Sequence, residues 1–164
     1  MSNVGRVPSR EPLVIEFDQD RRGAVVDRME TMASAEAGWL NLTPGLDMDI
    51  PPPTRSPLAS LFGARGPTVP LATWMPRHGR DPATGGIEHP EGPQAVKLLA
   101  ERGAAVPAGW RVVQDHPKRG LVVAVVGGNG RDDLDRALVW LLVATAALCP
   151  WPRTGEWRAL CHLP

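Results

Sequence analysis

The stretch ATWMPRHGRDPATGGIEHPEG, Ala72 to Gly92, decides how this chain is read. Its first residues close an apolar run, TVPLATWM (68–75), which reads as a strand. Arg77, His78, Arg80, Asp81, Glu88 and His89 then follow among glycines and prolines. Punctuation of that kind reads as a loop, so 76–92 is expected to be one long polar connection. It leads into a helix at GPQAVKLLAERG (92–103), with Pro93 in the first turn and Gly103 at the end.

Toward the C-terminus the pattern is clear. GWRVVQDH (109–116) and RGLVVAVV (119–126) read as two strands of a hairpin. RDDLDRALVWLLVATAAL reads as a long helix whose Asp132, Asp133 and Asp135 crowd its positive N-terminal end, with Pro150 and Pro152 beyond its other end. GEWRALCHL (155–163) alternates as a half-buried edge strand would. From 68 to 164 the predicted order is β-α-β-β-α-β, a ferredoxin-like α+β unit with an antiparallel sheet and helices on one face.

Toward the N-terminus, 1–11 is polar and expected to be loose. PLVIEFD (12–18) reads as a strand, and Asp18, Gln19 and Asp20 offer start signals for a helix. Val25, Val26, Met29 and Met32 share one face of that helix, Gly38 stops it, and GWLNLTP reads as a second strand. Residues 12–43 therefore form an N-terminal β-α-β segment that extends the later sheet or packs against it. Residues 44–67 form a proline-rich connection, holding Pro51–Pro53 and a short turn around Leu58, Leu61 and Phe62. The 164 residues imply one compact domain overall.

Composition narrows the function classes. Eighteen basic residues balance eighteen acidic ones, so no overall field draws nucleic acid or an anionic membrane. Tyrosine is absent and phenylalanine occurs twice, which argues against an aromatic platform for single-stranded nucleic acid. The apolar run Ala137–Cys149 is shorter than the ~20 residues a membrane span needs. Two cysteines, Cys149 and Cys161, do not make a disulfide scaffold, and no secretory pattern opens the sequence. A cytoplasmic protein without membrane contact is expected.

Candidate chemistry gathers at few places. Arg77-His78-Gly79, directly after a strand, resembles the Arg-His-Gly signature of the histidine phosphatase superfamily. That resemblance implies His78 as a phosphoryl-accepting nucleophile and Arg77 as a phosphate ligand. The family's second histidine would fall to His116 or His162, and neither precedes a helix here. In that family the signature stands on the first strand of a parallel α/β domain, whereas here an α+β pattern follows it. A metal set drawn from His78, His89, His116 and Glu88 lacks an HxxxH or HExxH spacing, so no metal and no cofactor are expected.

VVAVVGGNGRDDL imitates a strand–glycine–helix phosphate site, but Asp133 stands at the third glycine position and acids crowd the helix start. The turn QDHPKRG exposes His116, Lys118 and Arg119 as a further possible anion or partner contact. Trp74, Trp110 and Trp157 lie on predicted strands, as core or as interface. Over PRHGRDPATGGIEH and GPQAVKLLAERGAAVPAGWRVVQDHPKRGLVV the chain is similar to small proteins of unknown function from high-GC Gram-positive bacteria. That resemblance implies no activity.

Two expectations follow. The first is a non-enzymatic binding or protein-interaction module, with a protein partner or self-association. The second is a small enzyme or anion-binding protein, with His78 and His116 as catalytic candidates and Arg77, Arg80, His89, Lys118 and Arg119 as ligand contacts. It requires the 76–92 loop and the 115–119 tip to meet at one end of the sheet.

Overall fold

The computed structural model of the chain describes residues 11–50 and 69–164. Residues 1–10, the triple proline and the turn around Leu58, Leu61 and Phe62 lie outside the described residues. Seven described strands pair in register, and the side chains that point to one side of the sheet are the buried ones. They are β1 (Leu13–Asp18), β2 (Trp39–Leu46), β3 (Leu71–Met75), β4 (Thr84–Glu88), β5 (Arg111–His116), β6 (Gly120–Ala124) and β7 (Arg153–His162). All pairs are antiparallel, in the order β1-β7-β2-β3-β4-β6-β5.

The register sets Phe17 beside Trp157, Leu40 between Cys161 and Trp74, Ala72 beside Ile87, and Ile87 beside Leu121. All of these are buried, and they join one hydrophobic core with residues of three helices. The helices are α1 (Gly23–Ala35), α2 (Ala95–Glu101) and α3 (Arg131–Ala147). In α1 the buried residues include Val25, Val26, Met29 and Met32, the face their spacing predicts. In α3, Leu134, Leu138, Leu141 and Leu142 lie against the sheet, and burying each such side chain contributes about 1.5–3 kcal/mol.

Local chemistry fixes the helix ends. The Asp18 carboxylate accepts from the N–H groups of Asp20 (3.0 Å) and Arg21 (2.8 Å), which turns the chain out of β1 toward α1. Helix α1 ends ahead of Gly38, at Glu36, whose φ of 49° is left-handed. The Glu36 and Ala37 N–H groups return to the carbonyls of Ala33 and Met32, a Schellman closure that usually has glycine at this position. The Asp115 carboxylate on β5 accepts from Ala95 and Val96 N–H, both at 3.1 Å, and so anchors the start of α2.

The protein is thus a mixed α+β structure, and the sheet differs from the sequence expectation in three ways. Residues 76–92 are not one connection, because Thr84–Glu88 forms β4 between β3 and β6. β7 is not an edge strand: it lies between β1 and β2, so the N-terminal β-α-β segment straddles the last strand. β2 runs on to Leu46, past the expected boundary at 43, with a register shift at Pro44 where its pairing with β3 has already ended. A ferredoxin-like β-α-β-β-α-β unit therefore does not describe the sheet, since β4 and β2 intervene where that unit would pair its own strands.

The opposite face of the sheet is not covered by any described element. It carries Val14 and Leu160 at one corner with Trp39, which is 44% exposed and stacks on His162 with ring centroids 4.3 Å apart. Thr73 Oγ1 donates to Asn41 Oδ1 (3.0 Å) across its middle. Beyond that pair, Leu71, Met75, Val122, Glu88 and Arg119 surround a shallow depression. No described helix is long and apolar enough to cross a membrane.

Candidate functional site

The connection 76–83 folds back on itself. His78 N–H donates to the Asp81 carbonyl (3.1 Å) and Asp81 N–H to the His78 carbonyl (2.9 Å), leaving Gly79 and Arg80 as a two-residue turn. Gly79 has φ 57° and Arg80 keeps a negative φ, the pattern of a type II′ turn, which needs glycine at the first central position. The turn is clamped to the end of α1. Glu36 Oε2 accepts from Gly79 N–H (3.0 Å), Oε1 lies 3.5 Å from Arg77 Nε, and the Glu36 carbonyl lies 3.1 Å from His78 Nδ1. A carbonyl only accepts, so Nδ1 carries the proton in that bond. One non-glycine residue in a left-handed conformation therefore holds the whole turn, a pairing of strain with a fixed site.

Facing this turn is the exit of β6. Val125 N–H donates to the Ala83 carbonyl (2.8 Å), and the chain then passes through Gly127–Gly130 into α3. Asp133 Oδ2 accepts from Gly128 N–H at 2.7 Å, and Oδ1 lies 2.5 Å from Arg136 Nη2. The glycine turn thus already holds an anion, the carboxylate of its own helix. A phosphate at this turn would have to compete with that carboxylate for the Gly128 N–H.

Between the two turns lies a cleft of about 250 Å³. Arg77, Arg80, Asp81, Pro82 and Ala83 form one wall, Val125 to Asn129 with Asp133 the other, and Trp74, Leu134 and Ala137 the interior. Trp74 is 1% exposed, and its indole N–H has no acceptor among the described residues. Arg77 is engaged by Glu36 and by the Gly79 carbonyl (2.8 Å), and Asp133 by Gly128 and Arg136. The side chains of Arg80 and Asp81 make no ion pair or hydrogen bond among the described residues. The cleft therefore presents one unpaired cation beside one unpaired anion.

No protein-family model, curated protein or solved structure matches the chain.

The geometry of the sheet separates the residues that the sequence brought forward. Arg77, His78 and Arg80 lie at the end of the sheet where β3 passes to β4. His89, His116, Lys118 and Arg119 lie at the other end, because β6 pairs Leu121 with Ile87 and Ala124 with Thr84. The two groups are a strand apart, roughly 14 Å at ~3.4 Å per residue. The convergence required by the enzyme expectation does not occur. His162 is at the same end as His78, but it is stacked on Trp39 on the face away from the cleft.

His89 is 1% exposed, and burial pushes its imidazole pKa below the usual 6.5, against the pull of Asp115 and Glu91. Its Nδ1 accepts from Glu91 N–H (3.3 Å), its Nε2 is unpaired among the described residues, and the ring is enclosed by the core away from the cleft. His116 Nδ1 accepts from the N–H groups of Lys118 (3.1 Å) and Arg119 (3.3 Å), which shapes the hairpin tip. Among the described residues no group of three or more His, Cys, Asp or Glu is placed to hold a metal ion. Burial raises the pKa of both Cys149 and Cys161, which leaves them poor nucleophiles.

Sequence reasoning missed Trp74, Pro82 and Leu134 as parts of one site. The glycine turn and the 76–83 residues were each visible. What brings them together is the β3–β4–β6 ladder, and β4 carries too weak a strand signal to announce it.

Proposed function

We propose that the chain is a non-enzymatic binding module whose ligand site is the cleft between the Gly79–Arg80 turn and the Gly127–Gly130 turn. The observation that carries this reading is the pair of unpartnered side chains, Arg80 and Asp81, on a turn that Glu36 already holds in place. A preorganised turn with free charged groups binds without paying for its own ordering. The enzyme reading lacks support because His78, its best nucleophile, does not line the cleft and no second histidine converges on it. The module acts in the cytoplasm, a placement supported by two thiols that stand unpaired.

Amide chemical shifts of the ¹⁵N-labelled protein against a small-fragment collection test the site. Ligands are expected to move amides of residues 79–83 and 126–130 and to be recovered unchanged. Binding that maps only to other residues, or turnover of a bound compound, overturns the reading.

A second reading, self-association through the sheet face that no described element covers, is favoured by the exposed Trp39–His162 stack with Val14 beside it. A second copy suits that face because the chain has zero net charge, so copies do not repel at long range. Sedimentation velocity tests it. A monomer unchanged up to ~1 mM, near the weak limit of recognisable affinity, rejects it.

A further inference from the structure

We infer that the cleft takes a small zwitterion with an apolar side chain, of the α-amino acid kind, with Arg80 receiving the carboxylate and Asp81 the ammonium. The inference deepens the binding-module reading and rests on it. Four charged groups line the cleft, and internal partners already account for Arg77 and Asp133. The remainder is one guanidinium and one carboxylate, Arg80 and Asp81, on successive residues and without partners among the described residues. A ligand with a single anionic group would leave Asp81 facing it uncompensated. A polyanion such as a phosphate ester would also meet Asp133 and the acidic first turn of α3, where Gly128 N–H is already taken. A zwitterion satisfies both free groups and adds no net charge to the site.

The rest of the cleft selects the body of that ligand. Pro82, Val126, Leu134 and Ala137 make the walls chiefly apolar, which suits a branched aliphatic side chain. A volume of about 250 Å³ falls below the ~300–1,000 Å³ of drug-sized sites, so the occupant is small. Trp74 lines the cleft as well, and at 1% exposure its ring adds to the apolar interior.

The test compares L-leucine, N-acetyl-L-leucine and L-leucinamide by amide chemical-shift titration of the wild type, Arg80→Gln and Asp81→Asn. Both substituted side chains are exposed, and each variant's own spectrum reports its fold. Leucine is expected to shift amides of 79–83 and 126–130 at least fivefold more tightly than either derivative. In Asp81→Asn the advantage over N-acetyl-leucine disappears, and in Arg80→Gln the advantage over leucinamide disappears. Equal binding of leucine and N-acetyl-leucine to the wild type overturns the inference in favour of a plain carboxylate site. Equal binding of leucinamide overturns it in favour of an amine site. If none of the three moves these amides while another fragment does, the zwitterion is wrong and the binding site stands. If nothing moves them, both fall.

Discussion

Replacing Gly120 by alanine is expected to destabilise the protein by about 3–4 kcal/mol. Gly120 opens β6 with φ 77°, and a Cβ there would lie 2.3 Å from the Ile87 carbonyl oxygen and 3.1 Å from Glu88 Cα. A left-handed alanine costs about 1–2 kcal/mol on its own. The clash adds more, because backbone rather than a flexible side chain is in the way, and it falls about 1 Å short of ordinary contact. Forced overpacking of this kind costs about 1–3 kcal/mol.

Gly109 provides the control, with φ 85° and nothing within 4 Å of its Cβ position. Gly109→Ala should therefore show the conformational cost alone, about 1–2 kcal/mol. Urea unfolding followed by circular dichroism measures both, and the Gly120 variant should also melt roughly 10 °C lower, at ~2–4 °C per kcal/mol. The comparison tests β4 directly, because only a strand at 84–88 brings the Ile87 carbonyl against Gly120. Equal losses for the two variants would refute the reasoning.

Two further outcomes concern ionisation. Arg22 on the approach to α1 grips Asp135 on α3 through Nε–Oδ1 (2.6 Å) and Nη2–Oδ2 (2.8 Å), and these hydrogen bonds hold the Asp135 carboxyl below its usual 3.8. The pair is about one-third exposed, so after solvent screening its coupling is about 1 kcal/mol. That stabilisation is complete above pH ~3.8 and is lost as pH falls through the lower folded value. A double-mutant cycle of Arg22→Gln and Asp135→Asn should show the coupling at neutral pH and its decline in acid, and zero coupling at pH 7 counts against it. His89 is buried with its pKa depressed, so the unfolded chain protonates first below about 6.5. Stability should drop from there until the folded value is reached, by at most ~1.4 kcal/mol per pH unit. His89→Gln should flatten that part of the urea-derived pH profile, and an unchanged slope argues against burial as the cause.

Much of the fold was legible because it follows from local pattern. The spacing of Val25, Val26, Met29 and Met32 gave the buried face of α1, and the β-branched runs around His116 gave the β5–β6 hairpin. β4 was hidden by its composition, since TGGIE carries two glycines where strand propensity is lowest. Those glycines belong to the packing: a Cβ on Gly85 would press within 3.2 Å of Leu141 Cδ2, so α3 sits close over the strand. The position of β7 was hidden for another reason. Alternation of Trp157, Ala159 and Cys161 reports one covered face and says nothing about how many neighbours the strand has. The cleft was out of reach because it is assembled by long-range register. Asp133 in the glycine turn, by contrast, could be read as an obstacle to phosphate from sequence alone.

The place of β7 also bears on how the protein is made. β1 pairs with no described strand except β7, so Leu13–Asp18 leaves the ribosome long before the strand it pairs with. Phe17 emerges early and lacks its cross-strand partner Trp157 until residues 153–162 arrive. The β3–β4 and β5–β6 pairs, joined by short connections, can form while synthesis continues. Pairing at this edge of the described sheet is therefore long-range, the kind of contact that forms slowly.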